Sequence, residues 1–117
     1  MSNMLNAAHR DLLVDRARFL TEAGLSALQL DRALLANRLF LVQLHGQEYI
    51  PDFFLDERYD LRQLQAVCKV LGDLPGGSKL QFFTTPKGSL NGQTPLDALR
   101  DRRAAAVRRT AEGFVER

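Results

Sequence analysis

The sequence has few of the residues that typically indicate catalytic or metal-binding chemistry. It contains one cysteine, two histidines and no tryptophan among 117 residues. Cys68 has no second cysteine for an internal disulfide, and its helical apolar surroundings predict a small buried side chain rather than a nucleophile. His9 and His45 have no candidate base beside them in the sequence, and P-loop, dinucleotide and zinc-binding motifs are missing. We therefore expect no catalytic site, no metal and no cofactor.

Long apolar runs are also missing. No stretch approaches the roughly 20 apolar residues that a membrane-spanning helix requires, and residues 1–6 lack the basic and apolar segments of a signal peptide. The composition, 45% hydrophobic and 26% charged, is typical of globular proteins. We expect a single domain covering residues 1–117 in the cytoplasm.

The net charge is small but unevenly distributed. The formal value is +2, which by itself does not indicate nucleic-acid binding. Residues 100–117 hold six arginines and three acids, whereas residues 1–99 hold ten basic and eleven acidic side chains. The basic excess therefore lies in the last predicted helix, where it forms either a solvated face or a surface that contacts phosphates or a partner.

The N-terminal half begins with two predicted helices. Apolar residues at helical spacing predict an amphipathic helix over residues 5–22, which Gly24 ends. Ser26 is placed to cap a second helix that runs from Ala27 to about Asn37. Together they form a pair that resembles a helix-turn-helix.

A β-hairpin is predicted next. Residues 38–45 alternate between apolar and polar side chains, Gly46 and Gln47 form a turn, and residues 48–55 make a second extended run. Because Pro51 has no backbone N–H, we expect its strand to lie at a sheet edge or to carry a bulge.

A helix pair followed by a hairpin has the order of a small winged helix, in which the second helix faces the DNA major groove. This order predicts DNA contacts from the second helix and its exit, with His45 and Gln47 at the hairpin tip. The candidate contacts are Gln29, Arg32, Asn37 and Arg38. Acidic residues lie among them, whereas DNA-binding surfaces concentrate positive charge, so a purely structural role for this half stays open as the alternative.

The second half is predicted to consist of helices connected by two turns. Asp60 is placed to cap a helix with an apolar stripe of five residues, and Gly72 ends it. Residues 73–77 predict a turn, and residues 78–85 suit either a helix or a strand. A last helix is expected over about residues 101–115. The apolar stripe of the helix that Asp60 caps comprises Leu61, Leu64, Val67, Cys68 and Leu71.

A turn that leads into a short helix is the most distinctive stretch. Pro86, Gly88, Asn91 and Gly92 exclude regular structure over the first part, and Asn-Gly favours positive φ. Thr94 is then placed to cap a helix with Pro95 at its first position. The apolar residues Leu90, Leu96 and Leu99 predict that this turn is packed against the core.

This stretch carries a resemblance to a known family. The pattern Leu90-x-Gly92-x-Thr94-Pro95-Leu96-x-x-Leu99, followed by a basic helix with Val107 and Ala111, resembles the toxin-binding domain of Xre/MbcA/ParS antitoxins, which partner RES-domain toxins. The resemblance is clearest over residues 79–117 and favours a helix over residues 78–85. It implies a chain that blocks the active site of an NAD-consuming toxin and is compatible with a homodimer and with promoter binding.

The resemblance also implies a division of roles. Leu90, Gly92, Thr94, Pro95, Leu96 and Leu99 would shape the domain, whereas exposed groups nearby would contact the toxin. The candidates for contact are Lys87, Asn91, Arg102, Arg103, Arg108, Arg109, Phe114 and Arg117.

The predicted fold is mainly α with a β-hairpin. A degenerate winged-helix-like part, residues 1–57, packs with a small C-terminal helical bundle, residues 58–117. The leading functional hypothesis is an antitoxin-like protein without enzymatic activity, which binds and neutralises a RES-type toxin. The alternative is a winged-helix DNA-binding transcriptional regulator without a toxin partner.

Overall fold

A computed structural model describes residues 12–116. These residues form six α-helices, three short β-strands and two single turns of 3₁₀-helix. The strands are β1 (Leu13–Asp15), β2 (Val42–Leu44) and β3 (Gln47–Pro51). The helices are α1 (Arg16–Ala23), α2 (Ala27–Leu35), α3 (Leu61–Leu71), α4 (Gly76–Thr84), α5 (Pro95–Arg100) and α6 (Ala104–Val115). The predicted class, mainly α with a β-hairpin, is confirmed.

The predicted first helix is wrong over residues 12–15, while residues 5–11 lie outside the described residues. Residues 13–15 form β1, which pairs antiparallel with β3 in the register Leu13 with Pro51 and Asp15 with Tyr49. Asp15 has extended backbone angles and its side chain accepts a hydrogen bond from Arg18 N, so it caps α1. Helical spacing alone could not reveal this strand, because its partner lies far away in the sequence.

The hairpin is present but shorter than predicted. β2 pairs with β3 from Val42 with Tyr49 to Leu44 with Gln47, and residues 52–55 turn into a 3₁₀-helix instead of continuing the strand. His45 lies at the tip with a positive φ of 52°. The hairpin therefore consists of two short strands that a tight two-residue turn connects.

The prediction that the strand of Pro51 lies at a sheet edge or carries a bulge was wrong: the strand order β1-β3-β2 makes β3 central, and its register with β1 is continuous from Tyr49 to Pro51. Pro51 is the last residue of β3, and the β2 ladder has already ended at the pair of Val42 with Tyr49. Asp52 N donates to Leu12 O at 2.7 Å on the β1 side. Since N–H groups alternate between the two neighbours of a strand, the missing donor of Pro51 faces the side where no partner strand remains.

Helix boundaries follow local capping chemistry where the sequence offers it. Ser26 and Gln29 form a reciprocal capping box at the start of α2, and Asp60 accepts from Arg62 N at the start of α3. Gly24 ends α1 in the left-handed region, and Gly72 ends α3, also with a positive φ. These caps confirm the predicted ends of α1 and α3 and the predicted starts of α2 and α3.

Other boundaries differ from the predictions. Gly76 and Gly77 begin α4 instead of belonging to a turn, and the helical alternative for residues 78–85 is confirmed as far as Thr84. The last helix begins at Ala104 and not at residue 101, because Arg102 has a φ of 62° and ends the preceding turn. Leu61, predicted within the apolar stripe of α3, is 45% exposed, while the other four stripe residues are buried.

One hydrophobic core connects the sheet with the C-terminal helices. Rings from either end of the hairpin meet a ring from α4 in its centre: Phe83 lies 6.1 Å from Phe40, before β2, and 5.1 Å from Phe53, after β3, measured between ring centroids. Helix α6 packs mainly against α3, and α4 packs against β2 and α5. This arrangement holds α6 and the turn of residues 86–94 side by side on one surface.

Two titratable groups are buried in this core. Cys68 is fully buried, and desolvation raises the pKa of its thiol to about 12, as expected for a structural cysteine. Lys79 is 4% exposed, its ammonium lies 5.8 Å from the centre of the Phe40 ring, and burial lowers its pKa. Burial therefore disfavours the charged form of both groups.

Candidate protein-binding surface

The turn before α5 has the conformation that its sequence predicts. Asn91 and Gly92 both adopt positive φ, at 56° and 84°. Thr94 accepts a hydrogen bond from Asp97 N at 3.0 Å, and Pro95 occupies the first helical position. Leu90, Leu96 and Leu99 are buried. These residues therefore shape the surface from beneath.

Hydrogen bonds hold this turn in one conformation. Lys87 N donates to Gln93 O at 3.0 Å, and Gly92 N donates back to Lys87 O at 2.9 Å, which closes the loop. The Arg103 guanidinium then donates to Gln93 Oε1 at 2.6 Å and to Leu90 O at 3.3 Å. Arg103 thus fixes the turn against the start of α6, so it has a structural partner within the chain.

A groove of about 480 Å³ lies between this turn and α6. Three of the residues predicted to contact a toxin meet there, namely Lys87 from the turn and Arg109 and Phe114 from α6. The rest of the lining consists of small side chains: Gly88, Ser89, Ala106, Thr110 and Gly113. We call this the α6 groove.

Aromatic rings hold the Lys87 ammonium at the edge of the α6 groove. Lys87 Nζ lies 4.8 Å from the centroid of the Phe114 ring and 5.1 Å from that of Phe82. The two rings are 5.2 Å apart and tilted towards each other. A cation held over ring faces loses freedom of movement, so the Lys87 ammonium has a defined position at the edge of the α6 groove.

Arg109 provides a second positive charge. It is exposed, and within residues 12–116 its side chain has no hydrogen bond, ion pair or ring contact. Ser89 and Thr110 close the groove floor through a hydroxyl–hydroxyl hydrogen bond of 2.9 Å. A Cβ at Gly88 or Gly113 would meet nothing within 4 Å, so both glycines leave open space. The groove can accept an anionic group beside an apolar one.

The other predicted contact residues that the structure describes do not join the α6 groove. Arg108 donates to Gln63 Oε1 on α3 at 2.9 Å, and Arg103 holds the turn as described. Asn91 is exposed at the turn tip, and Arg102 lines a separate cavity with Arg58 and Arg100. Arg117 lies outside the described residues.

Several groove residues were missed by sequence reasoning, although one signal for them exists. Ala106, Thr110 and Gly113 were missed, although their spacing of i, i+4 and i+7 places them on one helix face with the predicted Arg109 at i+3. Small side chains on such a face leave room for a partner. Ser89 carries no comparable signal, because it reaches the groove only through the tertiary fold.

The predicted DNA-contacting residues partly converge on a second groove, of about 410 Å³. Gln29, Arg32 and Arg38 line it together with the apolar side chains of Phe19, Ala23, Leu25, Leu39, Phe54 and Leu61. Within the described residues, Arg38 Nε is buried without a hydrogen-bond partner. Asn37 lies elsewhere, with its amide 3.5 Å from Asp73 Oδ1.

The exposed face of α2 lacks the charge of a typical DNA reader. Leu28 is 58% and Leu35 is 85% exposed, and Asp31 lies between them. Asp31 pairs with Arg16 at 2.7 Å, and the same arginine lies 3.8 Å from Glu48. Gln29 accepts a hydrogen bond from Ser26 N in the capping box. Two acidic side chains therefore compensate the charge of Arg16, and Arg32 is the one positively charged residue of α2 itself.

Comparison with protein-family models, curated proteins and solved structures finds no match to this chain. Within residues 12–116, no helix combines the length and apolar composition that crossing a membrane requires. Nor does this part of the chain bring three or more His, Cys, Asp or Glu side chains together as a metal site would.

Proposed function

We propose that this chain is an antitoxin-like binding protein that neutralises a RES-type, NAD-consuming toxin by covering its active site. The α6 groove is the observation that carries the proposal, because it gathers Lys87, Arg109 and Phe114 on one surface. Such neutralisation requires no reactive side chain in the antitoxin. It requires a complementary surface with aromatic and arginine anchors.

The chemistry of the groove defines the partner segment. Arg109 can form two parallel hydrogen bonds with a carboxylate, and the Phe114 ring offers an apolar face beside it. A toxin segment that presents an Asp or Glu next to an apolar side chain would satisfy both. The turn of residues 87–93 is hydrogen-bonded to itself and to Arg103. Because it is already ordered, little conformational entropy would be lost on binding.

The test is co-expression with a RES-type toxin encoded next to this chain, followed by affinity pull-down and a growth assay. We expect wild-type protein to form a stoichiometric complex and to relieve growth arrest. Arg109→Glu should weaken the complex by at least about tenfold, because it places two carboxylates face to face. Gly113→Trp should weaken it similarly, because Gly113 lines the groove, a Cβ there meets nothing within 4 Å, and the new ring would occupy space that the toxin segment needs.

Two matched variants separate contact from general damage. Arg62→Glu makes the same charge change at an exposed position of α3, and Gly77→Trp adds the same ring at another helical glycine with open space around its Cα. Both should neutralise the toxin like the wild type. Full rescue by Arg109→Glu and Gly113→Trp would exclude the α6 groove as the contact, and a chain that never binds the toxin would refute the function itself.

A winged-helix DNA-binding regulator is the second candidate, favoured by the convergence of Gln29, Arg32 and Arg38 on one groove. The order of a helix pair followed by a hairpin is also that of winged helices. This candidate predicts that a promoter fragment binds in low salt and dissociates as salt rises. Arg32→Ala should weaken the binding, whereas Arg62→Ala should not; equal loss with both would indicate nonspecific attraction.

A further inference from the structure

The exposed face of α2 has an unusual symmetry. Leu28 lies three residues before Asp31, and Leu35 lies three residues after Arg32. Helical geometry places all four on one face, within about 100° around the helix axis. Read from either end, the face presents Leu, a pair of opposite charges, and Leu.

All four side chains are available to a partner. Leu28 is 58% and Leu35 is 85% exposed. Arg32 is exposed, and its side chain has no hydrogen bond, ion pair or ring contact in the described part of the chain. Asp31 retains 54% side-chain exposure although it pairs with Arg16. Two leucines this exposed on one face of a nine-residue helix are costly in water unless something covers them.

From this face we infer a homodimer in which α2 packs antiparallel against α2 of a second copy about a two-fold axis. The axis passes between Asp31 and Arg32, so Leu28 of each copy meets Leu35 of the other. Asp31 of each copy then faces Arg32 of the other. A two-fold interface must be complementary to itself, and this face satisfies that condition in both its apolar and its charged positions.

The inference goes beyond toxin neutralisation and does not depend on it. It also bears on the DNA-binding candidate, because a helix that packs against its symmetry mate cannot enter the major groove. A short helix pair buries less area than the roughly 1,200–2,000 Å² of a standard interface, so the expected dimer dissociates in the micromolar range.

Sedimentation velocity over a series of concentrations tests the dimer on the full chain. We expect a concentration-dependent dimer for the wild type, and at least a roughly tenfold weaker one for Leu35→Glu, which sets two carboxylates against apolar partners. Val115→Glu makes the same kind of change at an exposed apolar position of α6 and should leave the dimer intact. A wild type that is monomeric at all concentrations overturns the proposal, as does a dimer that Leu35→Glu leaves unchanged.

A charge-swap pair tests the antiparallel geometry directly. In a dimer of Asp31→Arg, an arginine at position 31 of each copy would face Arg32 of the other copy. In a dimer of Arg32→Asp, Asp31 of each copy would face an aspartate at position 32 of the other. Like charges meet in both cases, so neither variant should form a homodimer. In an equimolar mixture every charge meets its opposite, and a heterodimer should form with near wild-type affinity. A mixture that stays monomeric, although circular dichroism shows both variants folded, refutes the pairing.

Discussion

Replacing Gly76 by alanine should destabilise the fold by about 3 kcal/mol or more. An ideal Cβ at this position would lie 1.7 Å from Leu41 O and 2.8 Å from Leu41 C. Both are backbone atoms next to β2, so no side-chain rotation can relieve the overlap, and α4 would have to move away from the sheet. We expect the melting temperature to fall by more than about 10 °C in thermal unfolding followed by circular dichroism.

The neighbouring glycine provides a matched control. Gly77 also lies in the first turn of α4, but a Cβ there would meet nothing within 4 Å. Gly77→Ala should therefore stabilise the protein by about 0.5–1 kcal/mol, because alanine restricts the unfolded chain and favours the helix. Similar melting temperatures for the two variants would contradict the close approach of α4 to Leu41.

Gly76 illustrates what the sequence could not reveal. Two consecutive glycines after a proline predict a turn, since both residues weaken helices. In the structure they begin a helix whose N-cap, Pro75, makes no side-chain capping bond. Gly76 is required because one helix approaches the backbone of a distant strand, and a contact of that kind leaves no periodic pattern in the sequence.

Features with a local cause were predictable. The caps at Ser26, Asp60 and Thr94 depend on hydrogen bonds to backbone groups two or three residues ahead, so sequence spacing was sufficient to find them. β1 and the central position of β3 were not predicted, because strand pairing joins residues 13–15 with residues 49–51. The apolar residues in 5–22 have helical spacing, but residues 13–15 form a strand because they pair with β3.

The α6 groove was only partly predictable from the sequence. Lys87, Arg109 and Phe114 were selected as exposed groups near the motif, and the structure brings these three together. Arg103 and Arg108 were selected for the same reason, yet each donates a hydrogen bond within the chain. Composition identifies a basic helix, but only packing decides which of its arginines have partners inside the protein.

The second large effect concerns Phe83, which connects the two halves of the core. It is fully buried, with Phe40 and Phe53 on the sheet side and the Phe82 ring centroid at 5.6 Å on the other. Phe83→Ala should cost about 3–5 kcal/mol, because it removes several ring contacts and leaves a cavity that a packed core cannot close. The measurement is urea unfolding followed by far-ultraviolet circular dichroism.

Cys68 offers a second probe of the same unfolding. The thiol is buried and its pKa is raised to about 12, so a thiol reagent should label it only in unfolded molecules. Because Phe83 joins residues 12–57 to residues 58–116 through its contacts with Phe40 and Phe53, we expect labelling and circular dichroism to report one transition, shifted to lower urea in Phe83→Ala. Phe114→Ala, at the half-buried rim of the α6 groove, should shift it much less. Two separate transitions in the wild type would instead mean that the halves unfold independently and that the ring cluster does not couple them.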